Sequence, residues 1–461
     1  MYVCLASERR AAGTARIRSR PERRHLTTRA NHAPLPLPPL LVAVFAVCAA
    51  WASAGLDPLT DAAAGALSPS DFPTDFVPAA RRARGLPAGT DVVTGNGEAR
   101  AAGAPAFVPV GAPYRAHPPP AVMVVRPLVA LGFRGAALAW LALSLVATAV
   151  LAWIVTGVFV PEPRRRFVRV WPLFAGLLLW PPVLHNFEKG QWSVPIAALL
   201  ALAWAAARRP WPARAGALIA AAGCFKITPA IVLVTLLPRP GRWRALAGAA
   251  AATAGLAAAS ALVMGTGYWT DFLAASGPNA AGWQTAPANT MSLWGVLIRL
   301  LIGGVFARPV LVAPALARGL WIAVALALSG CAVVATWREA RGNDAANSPP
   351  ARAFAAWSAL AAILGPLTWT HTATWLVLPG ALLLRESLAV RTPGSPSTKV
   401  LRLLALVIAM TLLTIPRLSL FALAGPLPVT PWRGLALGLH LLGALLVLAV
   451  ACTGRRPTFS S

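Results

Sequence analysis

The sequence predicts an all-α polytopic membrane protein, a bundle of roughly 11–13 transmembrane helices with a large first extracytoplasmic loop. Three observations carry that expectation. Apolar residues make up 57% of the chain and charged residues only 12%, too apolar for 461 residues built around one soluble core. Runs long enough to cross a bilayer recur along its length. The net charge of +27 falls in short clusters between those runs, as topology requires. It is not interleaved with aromatics on a polar domain, which nucleic-acid binding would need.

In chain order, residues 1–35 are arginine-rich without apolar periodicity and are expected to form a disordered cytoplasmic tail. Leu37–Ala54 is the first apolar run. Its Ala50, Ala52 and Ala54 resemble a cleavage site, but the many spans that follow favour an uncleaved anchor. Residues 55–120 form the first loop. Further apolar runs cover 135–160, 168–184, 192–207, 213–237 and 245–264, then 310–337, 353–367, 373–384, 401–423 and 434–451. Together, residues 36–452 are expected to be one membrane domain, with 453–461 a short cytoplasmic tail. The five cysteines lie in the tail or in apolar runs and imply neither a disulfide framework nor a thiolate metal site.

Basic clusters fix the expected orientation. Arg164–Arg166, Arg208–Arg209, Arg239–Arg244, Arg338–Arg341, Arg385–Arg402 and Arg455–Arg456 mark cytoplasmic ends by the positive-inside rule. The run 213–237 has such clusters at both ends and carries Lys226 and Pro229 at its middle. Two short helical pieces meeting near Lys226 return the chain to its starting side, as broken helices do around polar cavities. The loop at 55–120, the break at Asn186–Gln191, the Gly265–Asn289 loop and the turn at Trp369–His371 then share the other face.

The polar residues of that face are the candidates for chemistry. Asp71 and Asp75, four positions apart, would stack on one face of a helix, where flanking Phe72 and Phe76 hold them at the membrane surface. Lys226 is a charge in an apolar run, costly by roughly 3 kcal/mol, and so belongs in a bundle interior or a wet cavity. His185, Asn186, Glu188, Lys189 and Gln191 form either a polar turn or part of a site. Arg299 either snorkels or faces inward, and His371 lies between Trp369 and Trp375 as an anchor or a site residue. The chain contains no phosphate-binding glycine loop, H-E-x-x-H, C-x-x-C, G-x-S-x-G or dinucleotide fingerprint. A transferase of this layout must draw its group from a lipid carrier within the membrane.

In this order the residues resemble glycosyltransferase family 87, the polyprenyl-phosphate-mannose-dependent membrane mannosyltransferases of GT-C architecture. The resemblance rests on Asp71-Phe72 followed by Ala79-Ala80-Arg81 and Gly85, and on Pro118-Pro119 with Pro127-Leu128. It continues through Asn186 with Gly190-Gln191, and through Lys226-Ile227-Thr228-Pro229 followed by Arg242-Trp243-Arg244. Asn289–Leu293 with Arg299, then Gly365-Pro366 with Trp369 and His371, complete it. Asp75 and His117 stand where the family more often has aromatics, and the segment 86–113 is longer than its pattern. The resemblance implies hexose transfer, mannose above all, from a polyprenyl-phosphate-linked donor to a lipid or glycan acceptor hydroxyl. The reaction would invert at the extracytoplasmic face of a bacterial plasma membrane and give an α-linked product. Asp71 matches the general base of GT-C enzymes, with Asp75 the alternative; Lys226, Arg299 and His371 match cations for the donor phosphate. Asn186, Gln191 and Asn289 would orient substrate, with no metal or other cofactor required and no nucleic-acid partner. A transporter or flippase, or a GT-C enzyme moving another lipid-linked sugar, is the competing reading; the absence of internal repeats and the long first loop argue against transport.

Overall fold

The computed structural model describes residues 70–104, 117–282, 290–303, 308–341, 350–365, 368–389, 396–415, 436 and 438–453. The first apolar run, Tyr114, Asn289 and both tails lie outside the described residues. Those described are helical, joined by one isolated antiparallel bridge between Thr290 and Trp369.

Helix α1, Pro73–Ala83, starts where a proline suits a first turn and ends on Arg81 and Arg82, cations that suit the carbonyl end of a helix. Helix α2, Val92–Ala101, is capped by Asp91, whose carboxyl is held below its ordinary pKa by the Thr94 backbone N–H. Glu98 of α2 pairs with Arg81 at 2.6 Å and Arg84 at 3.1 Å. The long segment after Gly85 is therefore folded back onto α1 as far as residue 104, with Ala88, Ala99 and Ala104 in the core.

Pro119–Val125 forms α3 and continues through a 3₁₀ stretch, Arg126–Leu131, into α4, Gly132–Phe159. Together they make a 41-residue apolar span. Helices α5, Pro163–Leu178, and α6, Pro181–Lys189, meet at 64°, since Pro181 and Pro182 cannot extend the α5 hydrogen-bond ladder. After α7, Ser193–Ala207, come α8, Pro212–Phe225, and α9, Arg242–Met264. Helix α10 is Thr266–Gly282, α11 Leu293–Leu301, α12 Pro314–Ala340, α13 Ala351–Leu364, α14 Val377–Leu388, α15 Pro396–Thr414 and α16 Leu439–Cys452. Among the described residues four helices are long and apolar enough to cross a membrane, or five with the α5–α6 pair. This is the polytopic all-α fold expected from the apolar runs, the span count being that of the described residues alone. Helices α7, α8, α13 and α16 are apolar and shorter, at 10–17 residues.

The break at Lys226 is present. Helix α8 ends at Phe225, Lys226 is extended (φ −153°, ψ 121°), and a 3₁₀ helix, Thr228–Leu236, packs back against α8 and α13. Helices α8 and α9 cross at contact distance through glycines, where a Cβ on Gly216 would overlap the Ala245 carbonyl and one on Gly248 the Ala213 carbonyl. Gly216→Val is expected to cost about 1–3 kcal/mol by forcing the pair apart, read as a lower thermal midpoint in detergent. An unchanged midpoint would show that the helices separate freely.

Candidate active site

Asp71 is held in place by the far side of the bundle. Helix α6 ends in Gly190, whose φ of +66° is the left-handed conformation that glycine adopts without strain. The carbonyls exposed at that end are taken up by the loop: Ser70 N–H donates to Glu188 O at 3.4 Å and Asp71 N–H to Lys189 O at 3.1 Å. The Asp71 carboxylate then accepts from Gln191 Nε2 at 2.9 Å and from Ser70 Oγ at 3.2 Å. Lys189 Nζ in turn donates to Ser70 Oγ at 2.9 Å and pairs with Glu188. Asp71 keeps part of its surface open.

Asp75, one turn later, is in the opposite situation. It is 1% exposed, accepting from Trp192 Nε1 at 3.0 Å and bonded to His117 Nδ1 at 2.8 Å. A carboxylate only accepts, so Nδ1 carries the proton of that bond. The two oxygens are engaged and shielded, and the helix face around them is an aromatic cluster. Phe72 stacks on Trp140 with centroids 5.8 Å apart, Phe76 meets Phe133 edge-on at 5.3 Å, and Trp140 meets Trp192 at 4.5 Å. Asp75→Ala leaves the His117 and Trp192 N–H groups buried without an acceptor. It is expected to cost about 3 kcal/mol, measured as a fall in thermal midpoint, and an unshifted midpoint would contradict this bracing role.

Lys226 and His371 complete the cluster. Lys226 is half-buried. Its Nζ lies 5.6 Å over the Trp375 ring and its charge is within electrostatic reach of Asp71. Trp375 is fixed by donating to Ser193 O at 3.1 Å. His371 is 1% exposed, and neither ring nitrogen has a hydrogen-bond partner among the described residues. Its ring is 5.3 Å from that of His185, which bonds Thr370 Oγ1 at 2.7 Å, and the Lys226 ammonium is within electrostatic reach. The Thr290–Trp369 bridge, the Met291 N–H to Thr368 O bond at 2.9 Å and the contact of Gly365 with Thr228 draw the later blocks into the same place.

The remaining candidates divide. Gln191 holds Asp71. Asn186, fully buried, accepts from Val194 N–H at 3.1 Å and so ties the end of α6 to the start of α7; its amide nitrogen has no partner among the described residues. Gln191 thus braces the loop at Asp71, and Asn186 braces the turn between α6 and α7. Arg299 is 3% exposed on α11 and thus buried in protein, not laid along a lipid-facing surface. Asn289 lies outside the described residues. Sequence reasoning passed over Trp192 as a partner of Asp75 and Trp375 as a partner of Lys226. Tryptophan at the mouth of an apolar run was the available signal, and it reads equally well as an interfacial anchor.

The arrangement sets a partly open carboxylate within electrostatic reach of a lysine ammonium, near a buried imidazole with no hydrogen-bond partner among the described residues. Such a site can take a proton at one side and hold an anion at the other. With this site enclosed in an apolar helical bundle, the chain is an integral membrane protein of the glycosyltransferase class. It belongs to glycosyltransferase family 87, whose family model matches residues 116–366, a little over half of its 461 residues. It is similar to the polyprenol-phosphate-mannose-dependent alpha-(1-2)-phosphatidylinositol mannoside mannosyltransferase of Mycolicibacterium smegmatis. The identity is 27% over 277 residues, covering 54% of this chain and 59% of that relative. The chain thus spans less than two thirds of the length of that relative. No solved structure matches. The family match includes His117, Asn186, Gln191, Lys226 and Arg299 and leaves Asp71, Asp75 and His371 outside. Family membership does not favour the transporter reading.

Proposed function

We propose that this protein transfers a hexose, mannose above all, from a polyprenyl-phosphate-linked donor to an acceptor hydroxyl, with inversion to an α-linked product. The observation that carries the reading is a partly open, oriented carboxylate, Asp71, within electrostatic reach of Lys226, with Lys226 and His371 bonded to no carboxylate among the described residues. The acceptor O–H gives its proton to Asp71 as its oxygen attacks the anomeric carbon. The bond from that carbon to the phosphate oxygen breaks, and the lipid phosphate leaves with the electron pair. Lys226 and His371 meet the charge that develops on the phosphate, with Arg299 as a further buried cation. Asp75 is assigned to bracing and Asp71 to catalysis, because only Asp71 keeps open surface. The name of the similar enzyme supports mannose as the sugar and a glycolipid as the acceptor.

The positive-inside pattern supports an extracytoplasmic site and cytoplasmic termini. The test is transfer of radiolabelled sugar from synthetic polyprenyl phosphate mannose, glucose and arabinose in sealed vesicles of both orientations. Transfer from the mannose donor on the extracytoplasmic face is expected. Transfer only from another donor would overturn the sugar, and transfer only on the cytoplasmic face the topology.

A further inference from the structure

Many buried hydroxyls of the bundle return to a carbonyl of their own helix, as Thr148 does to Ser144 O at 2.8 Å and Thr336 to Ala332 O at 2.7 Å. Beside Lys226 and His371, three neutral side chains leave a polar atom unused. Asn186, Ser193 and Thr372 are fully buried. Asn186 Nδ2, Ser193 Oγ and Thr372 Oγ1 have no hydrogen-bond partner among the described residues.

Printed bonds bring the three to one place. Asn186 Oδ1 accepts from Val194 N–H at 3.1 Å, which sets the amide beside residue 193. Ser193 O accepts from Trp375 Nε1 at 3.1 Å, and the Lys226 ammonium lies 5.6 Å over that same indole. The 3₁₀ turn Thr370–Leu376 packs against both α6 and α7. Side chains three apart in such a turn eclipse, so Thr372 lines up with Trp375. On the same turn His371 has its ring 5.3 Å from that of His185, the chain neighbour of Asn186.

The backbone does not satisfy these groups, although it satisfies others nearby. Ser193 is the first residue of α7, so no earlier turn of that helix offers its hydroxyl a carbonyl. Thr374, in the same turn as Thr372, does bond back to His371 O at 2.9 Å. A buried polar group without a partner lowers stability, and three of them at one place mark a position kept for a ligand. Their chemistry selects that ligand. Two hydroxyls that donate and accept, with an amide N–H that donates, match the hydroxyls of a sugar ring. A phosphate is met instead by the adjacent cations.

We propose that Asn186, Ser193 and Thr372 form the subsite that hydrogen-bonds ring hydroxyls of the donor's sugar. The assignment rests on the hexose-transfer reading above and adds to it the residues that recognise the sugar.

The test measures binding of polyprenyl phosphate mannose, its glucose counterpart and bare polyprenyl phosphate to the full chain in detergent, by native mass spectrometry. The parent is compared with Ser193→Ala and Thr372→Val. Each variant is expected to weaken the better-bound sugar lipid about fivefold, the size of one lost hydrogen bond, and to leave bare polyprenyl phosphate unchanged. The thermal midpoint without ligand is expected to hold or rise, because each change removes an unpaired buried hydroxyl. Equal affinity of the parent for the bare and both sugar-bearing lipids would overturn the proposal. So would undiminished binding of the sugar lipid in both variants, or an equal loss for bare and sugar-bearing lipid with a lower midpoint, the mark of a structural role. Because binding is read directly, a parent that transfers no sugar counts against the hexose-transfer reading and not against the subsite.

Discussion

Asp71→Asn is expected to lower sugar transfer by about a thousandfold while leaving the thermal midpoint within a degree or two of the parent. The isosteric amide keeps the backbone bond to Lys189 O, and a flip of the Gln191 amide restores the side-chain bond, so the loop stays where it is. Only the proton acceptor is lost. The acceptor hydroxyl must then attack without a base, and general-base assistance from a placed carboxylate contributes roughly 10²–10⁴ in rate. The contrast with Asp75→Ala is the informative part. That change removes a fully bonded buried carboxylate and is expected to act through stability, with activity falling in proportion to folded protein.

Lys226→Met is the second large effect, a loss of about 10²–10³ in kcat for the lipid-phosphate donor, the usual cost of deleting one group that stabilises transition-state charge. Stability should hold or rise. The ammonium rests on the Trp375 ring and hydrogen-bonds to no carboxylate among the described residues, so an apolar chain of similar length removes a desolvated charge without leaving one of them unpaired. Lower activity at equal or higher thermal midpoint marks a residue kept for function. A fall in midpoint with transfer unchanged would make Lys226 structural.

How far the sequence discloses this site depends on the range of the interactions. Lys226 is legible alone, because a charge in an apolar run has few places to go, and the doubly basic ends of its run foretell the break that the structure places at that residue. The four-residue spacing of Asp71 and Asp75 puts both on one helix, but it cannot say which is open. That is decided by His117 and Trp192, 42 and 117 residues away from Asp75. Asn186 and Gln191 read as either substrate contacts or a turn, and the sequence does not disclose the bonds they make, Gln191 to Asp71 and Asn186 to Val194 N–H. The 64° bend of α5 against α6 at Pro181-Pro182 falls within a run that composition alone treats as continuous. The folded segment after Gly85 was hidden because Glu98 finds its arginines back on α1.

The most direct measurement is mannose transfer from synthetic polyprenyl phosphate mannose by purified protein in nanodiscs, comparing the parent with Asp71→Asn and Asp75→Asn at equal folded concentration. Transfer by the parent, retained by Asp75→Asn and lost with Asp71→Asn, is the expected result. Asp71→Asn transferring as fast as the parent would contradict the account.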